Sequence, residues 1–198
     1  MKISKAIFAG SSARVGQKPA RRLPEFAFIG RSNVGKSSLV NMLTSNGKLA
    51  MTSSTPGKTK VVNHFLINDS WYLVDLPGYG FAKLSRQALS DLRDVVRDYI
   101  FNSEEMVQLF VLIDSRHDIG KTDLDFLAEL GEGGIPFSII FTKCDKLGPN
   151  ALSTQIERDC QILLREWESL PQIFKSSSET GCGRDEILSY IESVLASL

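Results

Sequence analysis

The stretch GRSNVGKSS, from Gly30 to Ser38, lies between the apolar runs FAFI and LVNML. Its spacing, Gly-x-x-x-x-Gly-Lys-Ser, is the P-loop pattern, and it follows a predicted strand and opens a predicted helix. In such a loop the backbone N–H groups converge on phosphate oxygens at a helix amino terminus. We expect Lys36 to reach the β- and γ-phosphates and Ser37 to give its hydroxyl to Mg²⁺. The phosphate-binding residues predicted here are Gly30, Arg31, Ser32, Asn33, Val34, Gly35, Lys36 and Ser37.

Short apolar segments alternate with longer segments of helical period along the chain, which is typical of an α/β fold with a mostly parallel sheet. The predicted strands are EFAFIG, VVNHFLI, WYLVDL, VQLFVLID, FSIIFT and QIFKSS. The turn signal Asn68-Asp69-Ser70 predicts that the second and third strands form an antiparallel hairpin, which adds one reversed edge strand. The first predicted helix starts at Lys36, and the second follows a Ser85 cap. Two more run from Thr122 to Gly131 and from Leu152 to Leu170, and the fifth lies at the end of the chain.

The segment FTKCD, at the end of an apolar strand, indicates which base is bound. A P-loop alone fits an ATPase, a small-molecule kinase or a GTPase. Asp145 can accept two hydrogen bonds from guanine, whereas adenine offers no matching pair of donors, and such a site rejects the analogue by ~10⁴ or more. Many GTPases have asparagine at the position of Thr142. The residues predicted to hold the base are Thr142, Lys143, Cys144 and Asp145.

Three further segments complete the predicted site. In DLPGYG, Asp75 can hold a magnesium-bound water and the Gly78 N–H can contact the γ-phosphate. In the Gly/Pro-containing loop STPGKTK, Thr59 can supply a second hydroxyl to the metal, so the predicted catalytic group is Lys36, Thr59 and Gly78, without a general base. The other nucleotide-binding residues predicted here are Gly57, Lys58, Lys60, Val61, Leu76, Pro77 and, around the guanine carbonyl, Ser176, Ser177 and Ser178.

Composition and charge limit the remaining classes of protein. The chain has 198 residues with 42% apolar content, which is the size of one domain, and it has no apolar run of the roughly 18 residues that a membrane span needs. We therefore expect a cytoplasmic protein without a membrane partner. Residues 1–68 carry 11 Lys or Arg and one acid, hence +10, and residues 69–198 carry 12 against 22, hence −10. We predict a basic arm over residues 1–22, suited to nucleic acid or an acidic surface, and a nucleotide-binding domain over residues 23–198.

The motifs stand in the order of a Ras-like GTPase. More narrowly, GRSNVGKSSLVN, STPGKTK, DLPGYGFAK, DSRHD and TKCDKL resemble the EngB (YihA/YsxC) family of bacterial GTPases, within the TrmE-Era-EngA-EngB-Septin-like group. The resemblance extends from about Leu23 to the end of the chain. It implies a three-layer α/β/α domain with a six-stranded sheet, and a factor that binds a large ribosomal subunit precursor or its RNA; separately, we expect a monomer. It also implies a role in assembly of that subunit, and hence in cell division and septation.

The residue after Gly78 bears on hydrolysis. In Ras this position holds a glutamine that orients the attacking water, whereas here it holds Tyr79. We therefore expect slow intrinsic hydrolysis. Asn33 resembles the asparagine that helps bind K⁺ in potassium-activated relatives, and stabilising the turn is the alternative role for it. Two other functions stay open: a nucleotide-gated RNA- or protein-binding module with incidental hydrolysis, and a small-molecule kinase or ATPase.

Overall fold

The computed structural model describes residues 1–50, 61–79 and 85–198. The strands are β1 (Ala6–Ser12), β2 (Glu25–Gly30), β3 (Val62–Ile67), β4 (Trp71–Asp75), β5 (Met106–Asp114), β6 (Phe137–Thr142) and β7 (Ile173–Lys175). The helices are α1 (Lys36–Thr44), α2 (Arg86–Asn102), α3 (Lys121–Glu132), α4 (Pro149–Leu163) and α5 (Arg184–Ala196). The α/β alternation predicted from the sequence is confirmed.

The strands form one sheet in the order β1-β3-β4-β2-β5-β6-β7. β2 pairs in parallel with β4 and β5, and β6 pairs in parallel with β5 and β7. β3 is antiparallel to β4, which confirms the predicted hairpin. The predicted count of six strands is wrong, because β1 pairs antiparallel with the outer side of β3 and becomes a seventh strand. The sequence hides β1 because Ile7 and Phe8 are exposed, so the strand has no alternating buried face.

Helices cover both faces of the sheet and bury two apolar clusters. The first cluster joins side chains of α2, α3 and α4, such as Val96, Leu127 and Ile156, to one sheet face. The second joins α1 and α5, through residues such as Leu39 and Ile187, to the other face. The domain therefore has the three-layer architecture expected of a Ras-like fold. Within the described ranges, no helix is long and apolar enough to cross a membrane.

Helix boundaries follow local chemistry. The Ser85 hydroxyl accepts a hydrogen bond from the Ala88 N–H at 3.2 Å, which confirms the predicted cap of α2. α3 matches its prediction to within one residue at each end, since it continues through Gly131 to Glu132. The prediction for α4 is wrong at both ends, since the helix starts with a proline in its first turn and ends at Leu163. Trp167, inside the predicted helix, lies beyond the turn that follows the helix end and packs onto Phe137 with ring centroids 5.4 Å apart.

A buried carboxylate joins the amino-terminal residues to the end of the sheet opposite the P-loop. Glu25 is 2% exposed and accepts hydrogen bonds from Tyr99, Ser103 and Lys18 at 2.6, 2.9 and 3.1 Å. The His64 Nε2 atom lies 3.7 Å from the same carboxylate. Burial lowers the pKa of His64, and the charge of Glu25 partly opposes that shift. The imidazole is therefore held as its neutral form in the core.

The buried imidazole predicts how stability depends on pH. Because the folded-state pKa of His64 lies below its unfolded value of about 6.5, the unfolded chain binds more protons in the window below that pH. The free energy of unfolding should fall as the pH drops below about 6.5, with a slope of up to about 1.4 kcal/mol per pH unit. Urea unfolding between pH 8 and pH 5.5 measures this slope.

His64→Gln should remove this part of the slope, whereas His117→Gln, at an exposed histidine, should leave it intact. Equal slopes in His64→Gln and the unchanged protein would contradict the assignment.

Candidate functional site

The P-loop has the backbone that its glycines predict. It connects the end of β2 at Gly30 to the start of α1 at Lys36. Asn33 and Gly35 have φ angles of +63° and +103°, a region that asparagine and glycine enter more readily than other residues. A Cβ at Gly30 would lie 2.9 Å from the Leu112 carbonyl oxygen, so no larger residue fits there. The loop is therefore curled at the amino terminus of a helix, where the helix dipole favours an anion.

The Lys36 ammonium contacts the Asp75 carboxylate at the carboxyl end of β4. Burial lowers the pKa of Lys36 to about 7. The adjacent carboxylate opposes this shift, since an opposite charge favours the protonated form. A lysine held this way in a largely dehydrated position is suited to bind a second, stronger anion such as a phosphate.

The same corner of the molecule provides oxygen ligands for a metal ion. Ser37 is the second residue of α1, and Asp75 lies beside the first turn of that helix through its contact with Lys36. A hydroxyl and a carboxylate are the hard oxygen donors that Mg²⁺ prefers. The residues present therefore fit Mg²⁺, with further ligands coming from phosphates and water.

The predicted base-recognition loop, residues 142–145, is attached directly to the P-loop. The Thr142 hydroxyl donates to the Val34 carbonyl at 2.6 Å. The Lys143 ammonium donates to the Asn33 carbonyl at 2.6 Å and to Asp114 at 2.9 Å. Lys143 has φ +58°, so a left-handed turn lifts its side chain towards the P-loop. The threonine at position 142 therefore supplies a bond between the two loops.

Asp145 is held in one orientation by two neighbours. The Ser177 hydroxyl donates to its Oδ1 atom at 2.6 Å, and the Lys146 ammonium lies 2.9 Å from Oδ2. These contacts, the serine first, lower the pKa of Asp145. The carboxylate is therefore ionised at neutral pH and acts only as an acceptor, which is what two donors of a guanine ring require.

The serine loop after β7 lies beside the base-recognition loop. The Cys144 N–H donates to the Ser176 carbonyl at 3.1 Å, while the Ser177 N–H donates to the Cys182 carbonyl at 3.1 Å. Ser176 and Ser177 are buried and Ser178 is exposed. The sequence prediction that these three residues line the guanine carbonyl stays a prediction.

The segment after β4 is also held near the P-loop. Leu76 donates its N–H to Phe28 at 3.0 Å, and Tyr79 donates its N–H to Gly30 at 3.3 Å. Pro77 and Gly78 lie between these two bonds, so Gly78, whose N–H is the predicted γ-phosphate contact, lies beside the P-loop. Of the second predicted loop, Val61 is half-buried just before β3. Gly57, Lys58, Thr59 and Lys60 lie outside the described residues.

Two acidic residues of the site were not predicted. Asp114 accepts hydrogen bonds from Arg116 and Lys143. Burial alone would raise the pKa of Asp114, but these two hydrogen bonds outweigh it and hold the pKa well below its usual range. Its place in DSRHD, directly after a buried strand, was the available signal. Asp123 accepts a hydrogen bond from Tyr79 at 3.0 Å. The guanidinium of Arg31, a predicted phosphate ligand, lies 3.8 Å from the Asp123 carboxylate.

The chain is similar in sequence to known proteins. A family model described as 50S ribosome-binding GTPase matches residues 25–143. A probable GTP-binding protein EngB of Porphyromonas gingivalis is 56% identical over 194 residues, which cover 98% of this chain and 96% of that protein. The corresponding protein of Phocaeicola vulgatus is 54% identical over 198 residues, covering 100% of this chain and 99% of that protein.

Solved structures support the fold. The crystal structure of a probable GTP-binding protein engB superposes with a TM-score of 0.69 at 23% identity, covering 88% of this chain and all of that one. Era in complex with MgGDPNP and nucleotides 1506–1542 of 16S ribosomal RNA gives a TM-score of 0.67 at 22% identity, over 86% of this chain and 56% of that one. At these identities the superpositions show the Ras-like fold.

Proposed function

Because the chain belongs to the EngB family of GTP-binding proteins, we propose that it hydrolyses GTP slowly as a Mg²⁺-dependent molecular switch in assembly of the large ribosomal subunit. The proposal includes a consequent role in cell division and septation. In this proposal, the protein acts as a monomer in the cytoplasm, without a membrane partner. Family membership favours this function over a small-molecule kinase or ATPase.

The observation that carries the nucleotide part of the proposal is the attachment of the Asp145 loop to the P-loop. Lys143 and Thr142 bond to P-loop carbonyls, while Ser177 orients the Asp145 carboxylate. The P-loop and the loop of residues 142–145 are thus bonded to each other. The P-loop offers backbone amides to the phosphates, and the Asp145 carboxylate offers an oriented acceptor to the base. GTP and GDP carry both groups, at a separation that the ribose fixes.

Each predicted catalytic residue has a proposed role toward the phosphates or the metal ion. We propose that Lys36 exchanges its contact with Asp75 for the β- and γ-phosphates and that the Gly78 N–H donates to the γ-phosphate. Ser37 and Thr59 are the proposed metal ligands, and Asp75 holds a metal-bound water. Bound Mg²⁺ would neutralise charge on the β- and γ-phosphate oxygens.

Slow hydrolysis is proposed from the position of Tyr79. Its hydroxyl donates to Asp123 at 3.0 Å and its ring packs on Phe126 with centroids 4.7 Å apart. The phenol thus faces α3 rather than the phosphate-binding loop, and it cannot orient a water as the glutamine of Ras does.

We also propose that K⁺ assists hydrolysis at Asn33. The Asn33 carbonyl already binds Lys143 and its backbone is left-handed, which supports a role in the turn as well. GTP turnover should be several-fold faster in K⁺ than in Na⁺ at equal ionic strength, and Asn33→Ala should lose the difference while GDP binding persists. Equal rates in the two salts would rule out the ion.

The ribosomal part of the proposal involves the basic amino-terminal residues. Lys5 pairs with Asp69, and Lys18 and Arg22 pair with Glu105. The basic residues of this segment that are exposed and form no ion pair with the rest of the described chain are Lys2, Arg14 and Arg21. These three are the proposed contacts with RNA phosphates.

Cosedimentation with large-subunit precursors tests the ribosomal role. We expect binding that is strongest with a non-hydrolysable GTP analogue, weaker with GDP and steeply reduced by salt. Neutralising Lys2, Arg14 and Arg21 to Gln should weaken binding and reduce its salt dependence. Neutralising the exposed residues Arg86, Arg165 and Lys175 provides a charge-matched control that should have little effect.

Failure to cosediment in any nucleotide state would contradict the ribosomal role. Binding that depends on the nucleotide, together with normal ribosome assembly in a hydrolysis-deficient variant, would instead favour the binding module with incidental hydrolysis.

A further inference from the structure

The buried carboxylate of Asp123, in the first turn of α3, brings three parts of the molecule together. It is 4% exposed and accepts hydrogen bonds from the Tyr79 hydroxyl at 3.0 Å and from the Gly120 N–H at 3.2 Å. The Arg31 guanidinium of the P-loop lies 3.8 Å from the same carboxylate. One acidic side chain therefore faces the start of α3, the P-loop and the segment after β4.

Tyr79 is fastened at three points around this carboxylate. Besides the bond to Asp123, its ring packs on Phe126 with centroids 4.7 Å apart, and its N–H donates to the Gly30 carbonyl at 3.3 Å. Burial, and then the charge of Asp123, raises the pKa of Tyr79 well above its usual range. The phenol therefore remains a protonated donor at any physiological pH.

We propose that Asp123 is a positioning residue, which fastens Tyr79 to α3 and thereby holds the adjoining Gly78 backbone beside the P-loop, ready to contact a γ-phosphate. This inference rests on the proposed function of Gly78. Gly78 directly precedes Tyr79 in the chain, so anchoring the tyrosine limits the positions that the glycine N–H can occupy. A donor held in place before its ligand arrives loses less conformational freedom on binding.

The anchor affects the two nucleotides differently. GTP carries the γ-phosphate that the Gly78 N–H is proposed to contact, whereas GDP lacks that group. Both nucleotides use the P-loop and Asp145 equally. Asp123 should therefore contribute to the affinity for GTP while leaving the affinity for GDP nearly unchanged.

Binding of labelled GDP and of a non-hydrolysable GTP analogue to full-length variants tests this inference. Tyr79→Phe and Asp123→Ala should each weaken binding of the GTP analogue roughly 3- to 10-fold, the loss expected of one buried hydrogen bond. GDP binding should stay within about twofold in Tyr79→Phe, because that change leaves the contact between Arg31 and Asp123 and the other predicted GDP contacts intact. The double variant should be no weaker than the weaker single variant, because both changes remove the same bond.

The variants control for one another. Tyr79→Phe keeps the ring on Phe126 and leaves the bond from Gly120 to Asp123 intact, so it remains informative if Asp123→Ala weakens the start of α3. Asp125→Ala makes the same chemical change at an exposed position two residues further along α3 and should not alter the ratio of the two affinities.

Three results would overturn the inference: equal losses for both nucleotides in Tyr79→Phe, normal affinity of that variant for both nucleotides, or independent additive effects of the two substitutions. Equal losses would show that Asp123 only stabilises the fold. An unchanged protein that binds neither guanine nucleotide would overturn the proposed function as well, whereas normal binding with an unchanged ratio would overturn only the role of Asp123.

Discussion

The site depends on the attachment of the base-recognition loop to the phosphate-binding loop. The Lys143 ammonium lies between the Asn33 carbonyl and Asp114, and the Thr142 hydroxyl binds the Val34 carbonyl. The two loops follow β2 and β6, parallel strands that are separated by β5 and end at the same edge of the sheet. Packing of the sheet brings the loops together, and these bonds set their distance. The residues proposed to recognise the base and those proposed to bind the phosphates are therefore joined by direct hydrogen bonds.

The parts that respond to a γ-phosphate are attached differently from the parts that recognise the base. Asp145 is fixed by neighbours that no phosphate touches, whereas Lys36 and Asp75 contact each other and would have to separate around a phosphate and its metal ion. Tyr79 is instead held by a hydrogen bond to Asp123 of α3, which belongs neither to the P-loop nor to the loop of residues 142–145. Under the proposed function, the contacts around Asp145 would serve both GTP and GDP, and the segment around Gly78 would distinguish them.

The sequence predicted the elements that local chemistry determines, and it missed those that depend on distant contacts. The P-loop, the β3–β4 hairpin and the Ser85 cap each rest on spacing or capping rules that act within a few residues. β1 was missed because only its pairing with β3, far along the chain, makes it a strand. Asp114 and Asp123 were missed for the same reason, since each acquires its role from partners on other elements.

Competition binding tests most directly whether one fixed carboxylate selects the base. Labelled GDP would be displaced by GDP, ADP and xanthosine diphosphate from the unchanged protein and from Asp145→Asn. The account predicts that ADP competes ~10⁴-fold or more weakly than GDP. It also predicts that Asp145→Asn prefers the xanthine nucleotide, because the amide can donate to the oxygen that replaces the guanine amine. Displacement by ADP as efficient as by GDP, or an Asp145→Asn variant that still prefers GDP, would contradict it.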